Sequence, residues 1–157
     1  MFQGNILKKL EAGTLTVMGI AMTLVMFTNV VLRYAMDSSL IWAEEFVRIV
    51  FVWAMFIAIT TSFLRHEHIG FDTLMQSTRI TARLQGILYG VALIIIGGLM
   101  AWYGNIYNGY TGDVMLPGTE LPTSVFLWPG VIAGVAWVLI GLYYTGKALV
   151  QLVTGKE

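Results

Sequence analysis

The chain has 157 residues, of which 57% are hydrophobic and 11% charged, with nine basic and nine acidic side chains and no cysteine. A water-soluble domain carries roughly a quarter charged residues, and the mean hydropathy here is +0.77, so composition excludes an ordinary soluble domain. A zero net charge excludes a nucleic-acid footprint, and the missing cysteines exclude disulfides, thiol catalysis and cysteine-ligated metal.

The charges cluster and leave four charge-free runs: 12–32 (21 residues), 49–64 (16), 84–112 (29) and 121–146 (26). About 20 apolar residues cross a ~30 Å hydrocarbon core as a helix. A soluble bundle would need a polar stripe on each helix, and none interrupts these runs. The expected fold is an all-α integral membrane domain of four transmembrane helices, spanning about 12–33, 41–64, 84–108 and 122–146 within one domain, 1–157.

The first run follows Lys8 and Lys9. It is longer than a signal-peptide core and lacks a small-residue cleavage pattern before Arg33, so it reads as a retained span. The second run is too short alone. Its helix should begin earlier, in Ser39–Arg48, "SLIWAEEFVR", with Ser38 or Ser39 as a cap. Glu44 and Glu45 lie four and three residues before Arg48, so either carboxylate can reach the guanidinium. An ionisable cluster about one turn inside a span is best satisfied against protein. Trp42, Glu44, Glu45 and Arg48 are therefore the candidate partner interface, against the alternative of an amphipathic start lying among lipid headgroups.

The second loop holds both histidines. His66, Glu67, His68 and Asp72 could chelate a metal, but with no second cluster the better reading is a turn at the helix end, with Gly70 permitting the bend. Residues 71–86 suit a short interfacial helix with Arg79 and Arg83 at an anionic lipid surface. In the third and fourth spans, Gly86 and Gly90, then Gly130 and Gly134, form small-xxx-small pairs for close helix packing, with Gly97, Gly98 and Gly141 as further thin places. Leu116-Pro117-Gly118 marks a turn in the third loop, and Pro122 and Pro129 fall near the start of the fourth span. Seven of the nine basic residues lie on the tails and second loop, against Arg33 and Arg48 on the other side. That bias puts both termini in the cytoplasm. No catalytic constellation or cofactor fingerprint is present, so no enzyme and no cofactor is expected.

The strings "WAEEFVRIVFVWAMFIA" and "HEHIGFD" resemble the DctQ-like small membrane subunit of tripartite ATP-independent periplasmic (TRAP) transporters. The matching positions are Trp42, Glu44, Glu45 and Arg48, then His68, Ile69, Phe71 and Asp72, with Arg33 after the first span. The resemblance implies a non-catalytic accessory subunit in a bacterial inner membrane, with membrane lipids around it. Its partner would be a large multi-span subunit that holds the sodium and substrate sites. A periplasmic substrate-binding protein would deliver an organic anion such as a C4-dicarboxylate or sialic acid. A self-assembling small exporter or channel is the competing reading.

Overall fold

The computed structural model describes residues 2–64 and 79–154. Among these the chain forms four helices: α1 (Phe2–Met36), α2 (Ile41–Leu64), α3 (Arg79–Thr111) and α4 (Ser124–Thr154). Each contains a stretch long and apolar enough to cross a membrane, namely Lys8–Met36, Ile41–Leu64, Gly86–Thr111 and Ser124–Val150. The protein is thus all-helical with four membrane-length spans. The segment from Arg79 to Gly86, expected to be interfacial, is continuous with α3.

Contacts divide the chain into two compact units. One comprises Met1–Ile59 and Ile106–Pro129, the other Thr60–Asn105 and Gly130–Glu157. Helices α2, α3 and α4 contribute one end to each.

In the first unit a row of less exposed positions, flanked by Gly19 and Ala21, runs along α1 through Leu15, Met18, Met22, Val25, Asn29 and Leu32. Their alternating three- and four-residue spacing averages 3.5, the repeat of a left-handed packing seam. Asn29 is the polar member, 7% exposed, and its Oδ1 accepts the Leu40 backbone N–H at 2.7 Å. That bond ties the last half of α1 to the residue preceding α2. α1 itself ends at Asp37, whose φ of 50° lies in the left-handed region usually taken by glycine. The Ser38 N–H then returns to the Leu32 carbonyl at 3.3 Å. The backbone leading into α2 is therefore fastened by Asn29.

In the second unit α3 and α4 run antiparallel with their backbones almost touching. A Cβ on Gly97 would stand 2.5 Å from the Gly134 carbonyl oxygen, and one on Gly134 would stand 2.7 Å from the Gly97 oxygen. Seven residues away on each helix the pattern repeats: Gly141 faces the Gly90 oxygen at 2.6 Å and Gly90 faces the Gly141 oxygen at 2.8 Å. Lipid offers little hydrophobic drive for helix pairing, so close backbone approach and the dispersion it permits must supply the attraction. Cα–H to carbonyl contacts add to it.

An aromatic cluster also packs within this unit. Phe63 meets Trp137 edge-on at 4.9 Å and Tyr89 at 6.4 Å, while Tyr89 and Tyr144 lie 5.7 Å apart. The Trp137 indole donates to Thr60 Oγ1 at 3.0 Å, and the Tyr144 hydroxyl donates to the Phe63 carbonyl at 3.3 Å. Phe63 O belongs to the last turn of α2, where carbonyls have no partner within the helix.

Two adjacent glycines test this packing. Gly97→Ala must separate two backbones and should cost about 1–3 kcal/mol. Gly98, with nothing within 4 Å of a Cβ, should accept alanine without loss. Thermal unfolding of both variants in one detergent measures the difference.

Candidate partner-binding site at the start of the second helix

The first turns of α2 carry the charges singled out in the sequence, and the structure gives adjacent residues opposite roles. Glu45 turns inward, to the third loop. Its Oε1 accepts the Gly118 N–H at 3.0 Å, and its Oε2 accepts the Thr119 N–H and Thr119 Oγ1–H, both at 2.8 Å. An ionised carboxylate has acceptor sites only, so three convergent donors suit it.

The loop is built to present those donors. A bridge pairs Met115 with Pro122, and the Leu116 N–H bonds the Leu121 carbonyl at 2.8 Å. The Thr123 N–H and Oγ1–H both reach the Val114 carbonyl, at 2.8 and 2.7 Å. The turn closes through Glu120 N–H to Leu116 O at 3.0 Å, with Glu120 at a φ of 53°. Its tip rests on the helix: a Cβ on Gly118 would stand 2.8 Å from the Ile41 carbonyl oxygen and 3.0 Å from Trp42 Cα. Both are backbone atoms that cannot move aside, so only glycine lets the tip come near enough for Glu45 to hold it.

A second bond fixes α2 against α4. Pro129 sits inside α4 and has no N–H to give the carbonyl four residues earlier, that of Val125. The Trp53 indole N–H supplies the missing donor, at 3.1 Å from Val125 O. An unsatisfied carbonyl in a span costs several kcal/mol, so the tryptophan and the proline form one device.

The remaining residues of the motif face outward. Glu44 and Arg48 are exposed, and among the described residues neither glutamate forms an ion pair with Arg48. Arg48 acts on Glu45 only through its charge. Trp42 is 40% exposed and packs edge-on against Phe46 at 6.0 Å. Of the glycines, Gly90 and Gly134 lie in the α3–α4 contact already described, and Gly86 meets Ala148 at an ordinary 3.4 Å. Gly130 is half-buried near the start of α4. His68 and Asp72, with His66 and Glu67, lie outside the described residues. Sequence reasoning missed the bonds from Glu45 to the loop and from Trp53 to Val125. A proline six residues into an apolar helix was the one local signal that a donor was needed.

Four membrane-length helices, with polar side chains used to fasten helix to loop and helix to helix, define a polytopic membrane protein. The sequence matches the family described as tripartite ATP-independent periplasmic transporters, DctQ component, over residues 22–153. It is 32% identical over 107 residues to the C4-dicarboxylate TRAP transporter small permease protein DctQ of Vibrio cholerae, covering 62% of this chain and 46% of that protein. The chain thus spans about half the length of that relative. It is also 27% identical over 137 residues to a TRAP transporter small permease of Haemophilus influenzae, covering 82% of this chain and 80% of that one. The chain belongs to the DctQ family, a family of non-catalytic transporter subunits.

Two expectations follow from the geometry. Replacing Glu45 by Gln removes the charge and one acceptor, and amide hydrogen exchange at Gly118 and Thr119 should quicken roughly tenfold, with the helices unaffected. Trp53→Phe should destabilise by about 1–3 kcal/mol by orphaning the Val125 carbonyl. Adding Pro129→Ala, which restores a donor within α4, should recover much of that loss. A double-mutant cycle by thermal unfolding in detergent reads the coupling.

Proposed function

We propose that the chain is the small accessory subunit of a TRAP-type secondary transporter. It acts as one four-span domain in a bacterial inner membrane, with both termini cytoplasmic and surrounded by membrane lipid. It braces a large multi-span subunit that carries the sodium and substrate sites. The family match across residues 22–153 carries this reading. The bias of basic residues toward the tails and second loop supports the orientation. That orientation puts the Glu45-held loop in the periplasm, where it would help to dock a substrate-binding protein. The cargo on this reading is an organic anion, a C4-dicarboxylate or a sugar acid.

The structure supports bracing over conduction by the use it makes of polar groups. Glu45, Asn29, Trp53, Trp137 and Tyr144 bond the chain's own loop, backbone and helices. Bonds of this kind stiffen a block against which another subunit can move. Trp42, Glu44 and Arg48 remain at the surface as the proposed partner interface, while Glu45 acts behind them by holding the loop.

Reconstitution separates this reading from a self-assembling exporter or channel. The chain should co-purify with the large membrane subunit of the same transporter. Sodium-driven organic-anion uptake into liposomes should need both, together with the binding protein. Uptake by the chain alone would instead identify a channel or exporter.

A further inference from the structure

Apart from Trp42 and Leu64, the exposed residues of α2 form one outward stripe: Ile41 (73%), Glu44, Arg48, Phe51 (52%) and Met55 (45%). The spacing is three, four, three, four, the a/d repeat that seats one helix along another in a left-handed crossing. Apolar residues in such a stripe would be content with lipid. Glu44 and Arg48 would not be.

Arg48 lies seven residues beyond Ile41, about 10 Å along the axis at 1.5 Å per residue. It bonds nothing among the described residues, and it does not close on Glu44 one turn away. The outward faces of α3 and α4 carry no charge between residues 84 and 112 or between 121 and 146. Exposed basic residues also occur near helix ends in α1, at Arg33, and in α4, at Lys147, but α2 places a carboxylate and a guanidinium together on one outward stripe. Ionised groups in a span are ordinarily paired or turned to a polar surface.

A second copy of the chain is a poor occupant. Copies inserted the same way round and related by a two-fold axis would place their α2 helices parallel. The a and d layers would then stack Arg48 on Arg48 and Glu44 on Glu44, which like charges oppose. A different protein can present the complement. Resting on the accessory-subunit reading above, we propose that this stripe seats one transmembrane helix of the large subunit, and that this helix carries a carboxylate level with Arg48 and a hydrogen-bond donor level with Glu44. Phe51 and Met55 pack as apolar knobs below the charges, and the charges set the register.

The chain has no cysteine, so single cysteines bearing a benzophenone maleimide report neighbours cleanly. Probes replace Phe51 and Met55 on the stripe, and Leu139 and Leu142 on the exposed face of α4, 63% and 54% exposed. The chain is co-expressed with the large membrane subunit of its transporter. Adducts of the two subunits are expected from positions 51 and 55 and not from 139 and 142. Arg48→Leu should lower the co-purified large subunit tenfold or more, and Arg48→Lys should retain most of it. Because Arg48 makes no internal bond, both variants should keep the wild-type helix content. Adducts confined to 139 and 142, or Arg48→Leu at wild-type yield, overturns the inference while leaving the accessory role intact. Doubled-mass adducts of the chain with itself from position 51 also overturn it. If the wild-type chain never co-purifies, both readings fall together.

Discussion

In hydrocarbon a backbone carbonyl without a donor has no water to turn to, and that constraint organises this molecule. Pro129 creates such a carbonyl on Val125 inside α4, and the Trp53 indole meets it at 3.1 Å. The last turn of α2 poses the same problem, and the Tyr144 hydroxyl answers it at Phe63. Where the chain leaves the helices the signs reverse. Two loop amides, of Gly118 and Thr119, need acceptors, and the Glu45 carboxylate takes both. The Leu40 amide is met by Asn29 in the same way. Trp53, Tyr144, Glu45 and Asn29 are therefore intelligible as partners for backbone groups, and each of their bonds also joins two separate stretches of chain.

Glycine supplies the complementary device. Along α3 and α4 the backbones come close enough for direct contact at Gly90 with Gly141 and Gly97 with Gly134. The spacing of seven on both helices keeps these contacts on one seam for two further turns. Gly118 does the same work at the loop tip, where a side chain would strike the first turn of α2. Close approach and carboxylate bonding are thus coupled there: the glycine admits the loop and the glutamate retains it.

Hydropathy made the four helices legible, and extending the short second run backwards from Ile49 led to the observed start at Ile41. The turn at Leu116-Pro117-Gly118 was equally plain, because proline and glycine act locally. What stayed hidden was long-range. Glu45 looked like a partner for Arg48 because helical spacing relates near neighbours, whereas its donors lie 73 and 74 residues away. The glycine pairs at four-residue spacing were visible on each helix alone. The seven-residue contact depends on the antiparallel register of α3 against α4, which neither helix encodes by itself. The outward stripe of α2 was obscured for a related reason: in an apolar run every face looks alike until the inward one is known.

That difference between faces explains why two glutamates side by side have different fates. Successive residues of a helix point about 100° apart, so when Glu45 takes the loop, Glu44 is carried round toward the outer stripe with Arg48. The loop tip sits on the Ile41 carbonyl and Trp42 Cα, and Ile41 is also the first residue of that stripe. The start of α2 thus has two sides: the loop holds one of them, and Ile41, Glu44 and Arg48 are exposed on the other. A displacement of α2's first turn by a neighbour would be felt at Gly118, and a pull on the loop would be felt at Ile41. Rigid fastening of the loop to α2, rather than a free linker, is what makes such transmission physically possible.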